Sequence, residues 1–305
     1  MNNTNTQRSF ILGDEWTYLK IYTGFKTADM ILTDCIYPLA TSLKNNQIID
    51  KWFFIRYADP KFHLRVRFHV ANLNHVPAVI MNFNRAIKTY VENNQIWKIQ
   101  ADTYNRELER YGNETIDAAE TLFCYDSDAI CQLVATDNIR KDENLRWLIC
   151  LKMVDALLND FNFSLQEKKD LLKTLQENFG REFGITKEYR HQFGQKYRDA
   201  TPKIEKILNP ESEILEEFQP IFEPVFRKSK ESIPVIQHIK HAVKTNPQLQ
   251  LSDLISSYIH MTLNRLFRTQ QRMHELVLYD YLFRYYTSLL ARQGGKSKET
   301  KNTKL

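Results

Sequence analysis

The chain has 305 residues, 43% of them apolar and 12% aromatic, which supports one large core or two modest ones and excludes a disordered polymer. Its formal net charge is +5, but Lys296, Lys298, Lys301 and Lys304 against Glu299 put three of those charges in the last ten residues. The body is therefore close to neutral, which argues against direct nucleic-acid binding.

The start, MNNTNTQRSF, holds no apolar signal segment, and no run of 18 apolar residues occurs anywhere, so the expected compartment is the cytoplasm, with no membrane partner. Cys35, Cys124, Cys131 and Cys150 lie among apolar residues without C-x-x-C spacing and read as free core thiols.

In chain order, residues 16–22 (WTYLKIY) alternate like a strand, and residues 26–43 then place Met30, Ile31, Cys35, Leu39 and Leu43 at helical spacing. Residues 52–70 form a β-hairpin around YADPKF, whose Asp-Pro step favours a turn. A second helix is expected over 77–92 and another strand over 96–104. The order is β-α-β-β-α-β, the ferredoxin-like arrangement.

From about Glu114 the pattern becomes helix after helix. Residues 146–158 are apolar nearly all round, and Ser164 with Glu167 makes a capping box that opens a helix to about Phe183. Pro202, Pro210, Pro220, Pro224 and Pro234 are expected to cut 200–235 into short pieces. Long helices follow over 251–267 and 273–290. The fold class is thus α+β: a mixed, antiparallel-rich sheet region over 1–112, a helical region packed against it over 113–293, and a disordered tail over 294–305.

Three stretches carry chemistry. In the hairpin, His63, Arg65, Arg67 and His69 share one face while Phe62, Leu64, Val66 and Phe68 take the other. Two guanidinium groups on a rigid sheet can hold one anion between them, or can simply be paired on an exposed face. In YNRELERYG, Glu107 and Arg110 are i,i+3 neighbours that pair with each other or leave Glu107 to orient an arginine aimed elsewhere. In LISSYIHMTLNRLF, Ser256, His260 and Asn264 form a polar edge beside an apolar stripe, where a histidine serves as an acid/base or as a packed helix residue. His238 and His241 have a metal-compatible spacing but no carboxylate or cysteine companion, so no metal is expected.

Taken together, FIRYADPKFHLRVRF, RELERYG and SSYIHMTLNRLF resemble the C-terminal elimination domain of glutamyl-tRNA-dependent lantibiotic dehydratases, which also occurs in stand-alone thiopeptide-type bacteriocin biosynthesis proteins. The resemblance spans about residues 10–290. It implies expulsion of glutamate from glutamylated Ser or Thr side chains of a ribosomally made precursor peptide, leader plus core, to give dehydroalanine or dehydrobutyrine. It also points to His260, Arg65, Arg67 and Arg110 as catalytic residues, with Glu107 beside Arg110; Glu107, Asn264, Arg265 and His63 are expected to bind substrate, His63 in a structural or substrate-edge role.

Removal of a weakly acidic Cα proton and departure of a carboxylate need a base and well-placed cations, with no cofactor. The long glutamylation region of the full-length family is missing, so a separate glutamyl-tRNA-dependent glutamylation protein is the expected partner. Pyridine-forming [4+2] cyclases of thiopeptide pathways share the fold and are the alternative. A non-catalytic leader-peptide-binding subunit is a third reading.

Overall fold

Alternation along the chain decides the first sheet. The computed structural model describes residues 6–136, 139, 141–209 and 214–302, with the backbone alone for 214–220 and 294–302. After a short strand β1 (Ser9–Phe10), strand β2 (Trp16–Thr23) leads through a helical segment to β3 (Lys51–Tyr57) and β4 (His63–His69). Helix α3 (Val76–Glu92) then returns the chain to β5 (Ile96–Ala101).

The four long strands form one sheet in the order β3-β4-β2-β5, with every neighbouring pair antiparallel. This is the ferredoxin-like order expected from the sequence. Leu64, Val66 and Phe68 are fully buried, as their alternation requires, and form a core face with Trp52, Phe54 and Ile21. Strand β6 (Tyr104–Asn105) pairs separately with β1.

The first helical segment is not uniform. Helix α1 (Phe25–Ile31) passes through a π-turn (Leu32–Ile36) into α2 (Tyr37–Asn45), and Pro38 sits in the first turn of α2. A proline ring collides with the carbonyl four residues back in a regular helix, and the widened turn just before Pro38 relieves that collision.

Strand β3 is an edge strand whose outward backbone groups are closed by side chains. The Phe54 N–H donates to Ser127 Oγ (3.3 Å) and the Arg56 N–H to Asn264 Oδ1 (2.9 Å). Asn264 Nδ2 donates to the Arg56 carbonyl (2.9 Å), and Arg265 Nε to the Phe54 carbonyl (2.8 Å). Ser127 lies on α5 (Ile116–Ala135), which follows the short α4 (Leu108–Tyr111). Sequestering an edge in this way satisfies buried backbone groups and prevents pairing with another chain.

The remaining helices are α6 (Glu143–Asp160), α7 (Leu165–Glu182), α8 (Lys187–Leu208), α9 (Ile214–Thr245), α10 (Leu251–Leu266) and α11 (Gln271–Asn302). The chain forms two compact units, one of Met1–Arg146 with Glu223–Thr269 and one of Trp147–Phe222 with Gln270–Leu305. The sequence boundary at Gly112 falls inside the first. In the second, Asp155 accepts from Lys168 Nζ and from the Tyr286 hydroxyl, both at 2.8 Å. The capping box is present: Ser164 N–H donates to Glu167 Oε2 (2.7 Å) and Glu167 N–H to Ser164 Oγ (3.3 Å).

Two helical expectations need correction. Pro202 lies inside α8, and Pro220, Pro224 and Pro234 lie inside the continuous 32-residue α9, so the prolines do not cut this region into pieces. Each proline forfeits one helical hydrogen bond, but Phe222, Val225, Ile236 and Ile239 are buried at helical spacing, and burial of such a stripe outweighs local propensity. Pro210 lies outside the described residues. Helix α11 likewise continues through Gly294 and Gly295 to Asn302, where the sequence suggests a tail; the last three residues lie outside the described ones.

A buried charge hub fastens α10 to the sheet. Asp29 accepts from Arg56 Nη2 (2.6 Å), Arg146 Nη2 (2.9 Å) and Arg268 Nε (2.7 Å). Arg56 and Arg146 also donate to the carbonyls of Arg265 and Leu266 at 2.8 and 2.9 Å, closing the C-terminal end of α10 with positive charge, as its dipole favours. Burial raises the pKa of Asp29, but the three arginines overcome it and hold the carboxyl at about 2.

Candidate active site

The second face of the sheet carries the basic residues, and strand register sets their neighbours. Arg67 lies between Phe53 and Tyr18, Arg65 between Ile55 and Lys20, and His63 between Tyr57 and Tyr22. Tyr104 of β6 also lies against this face.

Arg67 is 6% exposed. Its guanidinium lies 4.3 Å from the Tyr18 ring, 4.7 Å from Tyr104 and 5.0 Å from Phe53. Among the described residues no carboxylate pairs with it, and its buried Nε and Nη1 have no hydrogen-bond acceptor. Burial lowers its pKa, as it does that of the nearby Arg265. Rings supply quadrupole attraction but no acceptor, so the cage holds the cation without neutralising it.

Arg65 is half-buried beside it. Its guanidinium stacks 3.4 Å from the Tyr57 ring and its Nε donates to His63 Nε2 at 3.2 Å. Its terminal nitrogens make no hydrogen bond or ion pair among the described residues. His63 is 1% exposed, and its Nδ1 lies 2.8 Å from the Lys61 carbonyl. Both ring nitrogens are therefore occupied, Nδ1 by the Lys61 carbonyl and Nε2 by Arg65. Lys20 is paired with Asp102.

The cage wall is itself anchored. The Tyr104 hydroxyl donates to Glu120 Oε1 at 2.7 Å, and the same carboxylate receives Arg106 Nε at 2.8 Å and Nη2 at 2.6 Å. Burial first, then the Glu120 charge, pushes the Tyr104 pKa well up, so its ring stays neutral against Arg67. Sequence reasoning missed Tyr18, Tyr57, Tyr104, Arg106 and Glu120. Tyr18 and Tyr57 were reachable through strand alternation, whereas Glu120 is just another position on a helix until the fold is known.

Arg110 pairs with Glu107 at 3.1 Å on an exposed turn. Arg110 also lines an open cavity of about 370 Å³ with Glu109, Gln250, Asp253 and Ser257. Tyr111, next to Arg110, stacks on Tyr258 of α10 (5.9 Å) and meets Phe123 (5.3 Å), which in turn meets Phe53 of the Arg67 cage (5.4 Å). A continuous aromatic block thus joins the hairpin, the Arg110 turn and the helix that carries His260.

His260 is half-buried on the polar edge of α10, one turn beyond Ser257 of the cavity and one turn before Asn264 on the edge of β3. Asn264 and Arg265 are both engaged within the protein. Asn264 spends its amide on the Arg56 backbone, while Arg265 is fully buried between the Phe54 carbonyl and Asp126 (3.1 Å). These contacts fasten the helix to the edge of β3. His238 Nε2 lies 3.0 Å from the Glu114 carbonyl.

Residues 16–286 match the family described as lantibiotic biosynthesis dehydratase, C-terminal. The chain belongs to this family. It is 26% identical over 267 residues to the nisin biosynthesis protein NisB of Lactococcus lactis subsp. lactis, a match covering 87% of this chain and 25% of that protein. The chain thus spans about a quarter of the length of the curated relatives it matches.

Among solved structures it is similar to the tRNA-dependent lantibiotic dehydratase MibB from Microbispora sp. 107891, with a TM-score of 0.69 and 20% identity over 92% of this chain and 29% of that one. It is also similar to TbtD, the pyridine synthase from thiomuracin biosynthesis, with a TM-score of 0.62 and 12% identity over 90% of this chain and 97% of that one. In this member of the lantibiotic dehydratase family, the hairpin arginines sit on a ferredoxin-like sheet beside the helix bearing His260. No helix of the described residues is long and apolar enough to cross a membrane.

Proposed function

We propose that this chain performs the elimination half of lantibiotic dehydration, expelling glutamate from glutamylated Ser or Thr of a precursor peptide that a separate protein has loaded. The observation that carries the reading is Arg67, a buried cation with two unmatched nitrogens and, among the described residues, no counter-ion, beside an Arg65 whose terminal nitrogens are also unmatched there. An uncompensated buried charge is costly, and in so dry a setting an arriving anion is bound far more strongly than in water.

In the reaction, a base removes the Cα proton of the acylated residue, electron density passes to Cβ, and the Cβ–O bond breaks to release glutamate as a carboxylate. His260 takes the proton. Arg65 and Arg67 hold the developing enolate oxygen and the departing carboxylate, and Arg110, kept in place by Glu107, binds the remaining charge of the glutamyl group. Each donor supplies about 3 kcal/mol at the transition state, so loss of one slows the step roughly a hundredfold.

The test is mass spectrometry of a precursor peptide glutamylated in advance, incubated with the wild type, His260→Ala and Arg67→Ala. Free glutamate and a dehydrated peptide from the wild type, absent with both variants, is the expected result. Unchanged glutamylated peptide overturns it. The likeness to TbtD favours one second reading, pyridine formation from an already dehydrated peptide, and conversion of that substrate alone would select it.

A further inference from the structure

We infer that His63 is the positioning residue of the site: a neutral imidazole, protonated on Nδ1, whose Nε2 accepts from Arg65 Nε and so aims the two terminal nitrogens of Arg65 at the anion. The inference rests on the elimination reading for its functional meaning, and on geometry for the rest. The Lys61 carbonyl only accepts, so the 2.8 Å contact at Nδ1 requires a proton there. Arg65 Nε only donates, so the 3.2 Å contact at Nε2 requires a lone pair. One tautomer of the neutral ring satisfies both.

The rest of the pocket holds that ring still. Tyr22 of β2 and Tyr57 of β3 lie 4.7 and 5.5 Å from it, and the Tyr57 ring is also the surface on which the Arg65 guanidinium stacks. With one edge fixed by His63 and one face by Tyr57, the guanidinium keeps its fork directed away from both. The charged groups around His63 are Arg65 on its own strand, Lys20 on β2 and Asp102 after β5. Burial lowers the His63 pKa, Arg65 and Lys20 lower it further, and the Lys61 carbonyl and Asp102 oppose them. The net effect keeps the ring neutral at physiological pH.

Two substitutions separate positioning from filling space. Glutamine places an acceptor where Nε2 stands, and asparagine places a donor where Nδ1 stands. His63→Gln retains the bond to Arg65 and is expected to eliminate glutamate within about threefold of the wild type. His63→Asn retains the Lys61 contact alone and is expected to be about ten- to a hundredfold slower, the worth of one hydrogen bond to a charged group.

The companion measurement is ¹⁵N NMR of the full chain labelled in histidine and arginine, at pH 7.5. A neutral Nδ1–H ring at His63, with the Arg65 Nε–H signal shifted by its acceptor in the wild type and His63→Gln but not in His63→Asn, supports the inference. An Nε2–H or doubly protonated ring, or His63→Asn turning over as fast as His63→Gln, overturns it. Were the wild type to release no glutamate at all, the elimination reading would fail, while the NMR result would still decide what holds Arg65. Should His63→Asn fail to fold, the tautomer in the wild type and the rate of His63→Gln decide the matter.

Discussion

Replacing Arg67 by methionine separates the cost of the proposed anion site from its use. Arg67 leaves two buried nitrogens without acceptors among the described residues, each costing about 1–3 kcal/mol, and gains three ring contacts worth about 0.5–2 kcal/mol each. The two sums overlap, so the guanidinium contributes little to folding. Methionine fills much of the same space, and its sulfur meets the same rings for about 0.3–1.5 kcal/mol per contact.

With those contributions offsetting one another and most of the volume kept, Arg67→Met is expected to change unfolding free energy in urea by less than about 1.5 kcal/mol, the ceiling for a volume-conserving swap, while abolishing glutamate release. Arg56→Met is the control. It removes one of three partners from buried Asp29, and breaking a buried pair of this kind costs about 3–5 kcal/mol. Equal destabilisation by the two substitutions would refute the argument, because it would make Arg67 a structural cation and not one held for a ligand.

Two further predictions concern the frame around the site. Because folding lowers the Asp29 pKa to about 2, the stability it contributes is complete above the ordinary carboxylate range and is lost as pH falls through about 2. Asp29→Asn should remove about 2 kcal/mol of pH-dependence between pH 4 and 2 in chemical unfolding, and an unaltered acid limb would rule the hub out as its source. Asn264→Leu should cost about 2–4 kcal/mol by leaving the Arg56 N–H and carbonyl unmatched, and should speed amide exchange at Arg56. Unchanged protection there would mean that the edge of β3 is closed by other groups.

Much of the sheet region is legible from short-range pattern. The two-residue period of 63–69 assigns Leu64, Val66 and Phe68 to one face and the basic set to the other, and the helices between strands announce themselves by spacing. The capping box at Ser164 reads equally well, because its partners are three residues apart. The prolines of α9 mislead for the opposite reason: their local penalty is visible in the sequence, and the burial of Phe222, Val225, Ile236 and Ile239 that outweighs it is not.

The site divides along the same line. That Arg65 and Arg67 share a face, that Glu107 and Arg110 stand one helical turn apart, and that His260 lies on a polar helix edge can all be read from the chain alone, since each follows from local backbone geometry. It takes the folded chain to show that Arg67 is buried without a counter-ion among the described residues, that His63 lies behind Arg65, and that Asn264 and Arg265 are spent on a strand more than 200 residues away. The reason is that burial and satisfaction of a polar group depend on what is packed above it, and those atoms come from parts of the chain with no local relation to it.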